Sequence, residues 1–142
     1  MHIRKSWLPA VTLTLLFAGC AAGGDDPSAA AETVVVRMTD DLRFDPASFT
    51  VRAGATVRFE VTNAGAMPHE FLVGDETAQA EYEAEMAEGH GEGHDSAAGV
   101  SVEPGETESF EYTFTTAGEL LAGCHEPGHY DGGMRATITV ES

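Results

Sequence analysis

The sequence predicts an all-β domain: a sandwich of about seven to eight short strands with one partly helical insertion. Three observations lead there. Beyond residue 32, apolar and polar residues alternate in several separate runs, as strands with one buried face require. Turn residues such as Gly and Asn punctuate these runs at short intervals. One stretch, about 75–99, drops the alternation for helix formers and then glycines.

The first 31 residues read as export and tethering signals. Arg4 and Lys5 precede an apolar run, Leu8 to Phe17, that is too short to span a bilayer but suits a signal-peptide core. It ends Leu16-Phe17-Ala18-Gly19-Cys20, which resembles the bacterial lipobox and implies lipidation at Cys20. The same features also fit an ordinary secretory signal cut nearby. We therefore expect a lipoprotein signal peptide over 1–19 and a lipidated Cys20 with a flexible tether over 20–31. Ala21 to Ala31 would reach on the order of 18 Å. The folded domain is expected over 32–142, extracytoplasmic and held to a membrane by its lipid, facing a periplasm or the cell surface.

Charge narrows the partners. The chain has 24 acids and 7 bases, a net charge of −17. Without residues 1–19, five arginines stand against all 24 acids, and the net charge becomes −19. Phosphates need a basic surface, so nucleic acid is not an expected partner. There is no Gly-x4-Gly-Lys-Ser/Thr run for nucleotide phosphates. An acidic surface favours basic partners or cations, and adaptation to salt produces the same composition. If Cys20 is lipidated, Cys124 is a lone thiol in an oxidising compartment, where a bound metal would protect it.

The elements follow in order. Val34, Val36 and Met38 share one face of the first strand, and Phe49 and Val51 belong to a second. After the turn Arg52-Ala53-Gly54-Ala55, Val57, Phe59 and Val61 alternate with polar residues in a third. Asn63-Ala64-Gly65 turns the chain into a strand over His69 to Val73. Asp75 to Glu88 is rich in helix formers, with a narrow apolar stripe of Ala78, Tyr82 and Met86 that packs on the sandwich. Gly89, Gly91, Gly93 and Gly99 end that helix. The acids from Glu81 to Glu92 read as a solvated face. Strands at Phe110 to Phe114, Leu120 to Cys124 and Ala136 to Val140 complete the set.

The chemistry concentrates in one loop, Gly123-Cys-His-Glu-Pro-Gly-His-Tyr-Asp-Gly-Gly-Met134. It spaces Cys124, His129 and Met134 as Cys-x4-His-x4-Met. A soft thiolate, an imidazole and a thioether suit copper better than calcium or magnesium. A trigonal copper site needs a second imidazole, and His69 lies at the start of an upstream strand.

These residues resemble the cupredoxin family, the small type 1 blue copper proteins such as plastocyanin and azurin. The likeness covers about residues 32–142 outside the insertion, and Cys124-His-Glu-Pro-Gly-His129 is close to the family's loop pattern. It implies a Greek-key sandwich and one copper, Cu(I)/Cu(II), held by His69, Cys124, His129 and Met134. It also implies that the Pro68 carbonyl faces the copper opposite Met134. The electron would leave through His129, inside an apolar patch of Ala66, Met67, Pro68, Pro127, Gly128 and Tyr130. The expected function is single-electron transfer to a redox protein docking near His129, by a monomer with no catalytic residues. The alternative is copper trafficking or resistance.

Two residues depart from the family pattern. Glu70 stands where Asn or Ser usually ties the two ligand loops together, and His125 directly follows the ligand cysteine. Continuing the strand alternation turns His125 away from Cys124, so a solvated side chain is expected. Met86, His90 and His94 recur every four residues and form a candidate weak second copper site.

Overall fold

A computed structural model describes residues 32–89 and 98–142. The signal, tether and lipidation readings, and His90 and His94 of the candidate second site, lie outside these residues.

Among the described residues the chain forms nine strands and one helix. Five strands lie before the helix: β1 (Glu32–Thr39), β2 (Arg43–Asp45), β3 (Ser48–Arg52), β4 (Thr56–Asn63) and β5 (His69–Gly74). Then come α1 (Glu76–Ala87), β6 (Gly99–Val102), β7 (Thr107–Thr113), β8 (Gly118–Gly123) and β9 (Arg135–Glu141). One sheet has the order β2-β1-β4-β7, the other β3-β9-β8-β5-β6. The expected all-β sandwich is present. The two strands beyond the seven read from the sequence are β2, three residues long, and β6, which opens on Gly99 and pairs with β5.

The alternation sets the registers. In β4, Val57, Phe59 and Val61 are fully buried while Arg58 is exposed. β1 runs parallel to β4, placing Val34 opposite Phe59 and Val36 opposite Val61. β3 and β9 also pair in parallel, Val51 opposite Val140. The core is aromatic. The ring of Phe59 lies 5.3 Å from Phe71 and 5.2 Å from Phe110, and Phe44 meets Phe71 edge-on at 5.1 Å. Burying side chains of this size contributes about 1.5–3 kcal/mol each. This interior fixes the ends of β5, β8 and β9, which carry the site.

α1 starts at Asp75, whose side chain accepts the N–H of Ala78, and stops before Gly89, which takes the positive φ (75°) of a helix C-terminus. It packs on the outer face of the second sheet against β5 and β8. Ala78, Tyr82 and Met86 are half-buried, as expected of an apolar stripe against the sandwich, but the deepest residue is Gln79, 1% exposed. No helix among the described residues is long and apolar enough to cross a membrane.

Candidate metal centre

Three of the sequence-predicted ligands converge. His69 opens β5, Cys124 directly follows β8, and His129 lies in the loop from β8 to β9. The Nδ1 atoms of His69 and His129 are 3.3 Å apart, and Cys124 Sγ lies 3.4 Å from His129 Nδ1 and 3.9 Å from His69 Nδ1. Metal–nitrogen bonds of about 2.0–2.1 Å and a metal–sulfur bond of about 2.3 Å, spread trigonally, separate neighbouring donors by about 3.5–3.8 Å. The observed triangle fits one ion, and its donor types are those copper takes. His69 and Cys124 are fully buried and His129 is half-buried.

The loop holds its shape through backbone bonds. Cys124 N–H donates to the Met134 carbonyl at 3.1 Å, and Met134 N–H donates to the His129 carbonyl at 3.0 Å. The main chain thus closes Cys124, His129 and Met134 into one unit, with Met134 fully buried. His129 N–H donates to Glu126 O at 2.9 Å, and Gly128 takes φ 81° to make that turn. The upstream ligand is held by Asn63, fully buried, whose side chain donates to the carbonyls of Met67 and Val102 and accepts from Gly65 N–H.

Burial pushes the Cys124 thiol up to about 12. The N–H groups of Glu70, at 3.3 Å, and of Glu126 donate to the sulfur and oppose that shift. Burial also lowers His129 below the ordinary histidine value, helped by charge on His69 and opposed by Asp40. A neutral imidazole with a free lone pair is what a metal requires.

The two departures have structural roles. Glu70, buried, accepts from the His125 N–H at 3.2 Å and from the Ser101 hydroxyl at 3.4 Å. It therefore ties the strand of His69 to the loop of Cys124. His125 corrects the sequence reading: it is not solvated but fully buried. Its side chain does turn outward, but α1 covers that face of the sheet. Nδ1 meets Glu83 at 2.8 Å and Nε2 meets Gln79 Oε1 at 2.7 Å. The ring stacks on Tyr130 at 4.7 Å, and Arg135 lies over Tyr130. Glu83, read as part of a solvated acidic face, is half-buried with its carboxylate turned to His125. A cavity of about 200 Å³ beside this network is lined by Glu83, Met86, Ala87, His125, Pro127 and Gly128.

Around His129, Ala66, Met67, Pro68, Pro127 and Gly128 are exposed, Met67 by 40%, while Tyr130 is half-buried under Arg135. Sequence reasoning missed Asp40, whose carboxylate lies 3.3 Å from His69 Nε2. It sits 29 residues upstream in the β1–β2 turn. No local spacing signals a contact between two loops so far apart in sequence.

A sandwich of this topology that brings buried His69, buried Cys124 and half-buried His129 into one donor triangle defines a small copper protein. The plastocyanin/azurin family of copper-binding proteins matches residues 31–141. The chain belongs to that family, and copper is its cofactor. It is 37% identical over 115 residues to the copper-resistant cuproprotein CopI of Rubrivivax gelatinosus, covering 81% of this chain and 70% of that protein. With CopI of Pseudomonas aeruginosa the identity is 34%, covering 87% and 84%. Among solved structures, the reduced auracyanin of Roseiflexus castenholzii superposes with a TM-score of 0.70 at 25% identity, covering 80% of this chain and 99% of that one.

Proposed function

We propose that this chain is an extracytoplasmic copper protein of copper resistance. It holds one copper between His69, Cys124 and His129 with Met134 as the weak axial ligand, and Cys20 anchors it to a membrane. The observation that carries the reading is the Sγ–Nδ1–Nδ1 triangle, in a domain whose relatives are named for copper resistance. Bound copper supplies a centre that takes and gives one electron. The chain contributes a soft, closed donor set, two N–H groups on the sulfur and a rigid frame.

The second reading is single-electron transfer to a protein docking at His129. The exposed apolar residues around that half-buried ring favour it. An acidic rim would steer a basic partner.

One experiment tests the proposal. A host lacking the gene is complemented with the native chain, with Cys124→Ser and with Cys20→Ala. Native protein should restore copper tolerance and, purified, show an intense visible thiolate-to-Cu(II) band. Cys124→Ser should lose both, and Cys20→Ala should leave the membrane fraction. Full tolerance with Cys124→Ser would overturn the resistance reading. Rapid reduction by a redox partner, with tolerance unaffected by deletion, would favour electron transfer.

A further inference from the structure

We propose that Asp40 is a positioning residue for the copper site: it fixes the His69 ring with its proton on Nε2 and adds a negative charge that favours Cu(II) over Cu(I). The inference rests on the copper reading above.

His69 has two ring nitrogens with separate tasks. Nδ1 faces Cys124 Sγ and His129 Nδ1. Nε2 faces Asp40 Oδ1 at 3.3 Å. A neutral imidazole carries one proton. A carboxylate at Nε2 draws that proton there and leaves the Nδ1 lone pair for the metal. The ring is then oriented before any ion arrives.

The carboxylate is itself fixed. Ala66 N–H donates to both Asp40 oxygens, at 3.0 and 2.8 Å, and Met67 N–H donates to Oδ1 at 3.3 Å. These bonds, that from Ala66 foremost, hold the Asp40 carboxyl below the usual carboxylate range. The turn it grips is the one that leads into His69, so Asp40 orients both the ring and the backbone that delivers it.

Gly65 points the same way. A Cβ there would run into the Asp40 carboxyl group. Gly65 does not have a positive φ, so its backbone conformation does not demand glycine. The missing side chain leaves the space through which Asp40 reaches the turn.

The effect on redox state follows from charge. Cu(II) carries one more positive charge than Cu(I), so a nearby anion stabilises it more. The Asp40 side chain is 40% exposed, and solvent limits the size of the effect.

The test uses the full chain. Native protein is first titrated with copper, and failure to bind there would be a failure of the copper reading. In the copper-loaded protein, Asp40→Asn keeps the shape and removes the charge. The visible band should persist while the ratio of Cu(II) to Cu(I) affinity falls about tenfold, a rise of about 59 mV for a one-electron couple. Gly65→Ala keeps the carboxylate but displaces it, and should move the potential in the same direction. An unchanged potential in Asp40→Asn would overturn the proposal. An independent reading comes from nitrogen NMR of the native metal-free chain, whether or not any variant folds. It should find the His69 proton on Nε2, and a proton on Nδ1 would overturn the positioning role.

Discussion

Burial of the Cys124 thiol and the two N–H groups aimed at its sulfur act in opposite directions, and burial wins in the metal-free protein. At pH 8 a thiol at about 12 is ionised in about one molecule in ten thousand, against about one in ten for the ordinary value of 9.0. The Cys124 peptide of metal-free protein should therefore react with iodoacetamide on the order of a thousandfold more slowly than an unfolded cysteine peptide, as followed by mass spectrometry. Alkylation at the unfolded rate would mean that the pocket opens freely. The same physics governs alkaline stability. The folded value is raised above the unfolded one, so the stabilisation is whole below about pH 9 and is lost as pH rises towards about 12. The converging donors Cys124, His129 and His69 were legible because the loop spacing and donor types are chemical signals in one dimension. Asp40 was not, because its role depends on two loops meeting in space.

At the scale of elements, α1 is fastened to the site through a glutamine. Both amide protons of Gln79 go to backbone carbonyls, Leu72 O at 3.0 Å and Leu121 O at 3.2 Å, so its oxygen is left to accept from His125 Nε2 at 2.7 Å. One side chain thus bridges β5, β8 and the residue next to Cys124. Gly123 makes the fit, since a Cβ there would collide with Gln79 and with the Tyr130 ring. Gln79→Ala leaves two sheet carbonyls and a buried imidazole short of a partner. It should cost about 2 kcal/mol, on the order of 10 °C in Tm for a domain of this size. Thermal unfolding by circular dichroism checks this, and an unchanged Tm would mean that water replaces the amide at no cost. The helix was legible from its composition and from Gly89. Its buried face was only partly so. The stripe Ala78, Tyr82 and Met86 is apolar by type, whereas Gln79, buried, and Glu83, half-buried, are polar residues turned inward because His125 faces them. Strand alternation indicated the direction of His125 but not the helix that covers it. The short β2 and β6 escaped because three or four residues are too few to display a period.

At the scale of the molecule, closing the sandwich around Cys124 couples metal binding to protons. The thiol stays protonated in the metal-free fold well above neutral pH, because burial pushes it up to about 12. The metal takes the thiolate, so binding must expel that proton. His129 adds none at pH 8, since burial holds its value below the ordinary 6.5. The sign follows directly. Below the thiol's value, each unit of rising pH makes the thiolate about tenfold more available, so apparent affinity should rise with pH. Calorimetric titration with Cu(II) at pH 8, in buffers of different ionisation enthalpy, should report about one proton released by Cys124 per copper bound. That proton should disappear in Cys124→Ser, where the hydroxyl has none to give in this range. The surrounding acids strengthen attraction for the cation but add no proton, because exposed carboxylates are already ionised at pH 8. Raising the salt should therefore weaken capture by screening those acids while leaving the proton count unchanged. Binding without proton release in the native chain would mean that copper sits on surface carboxylates and imidazoles instead of the buried thiolate.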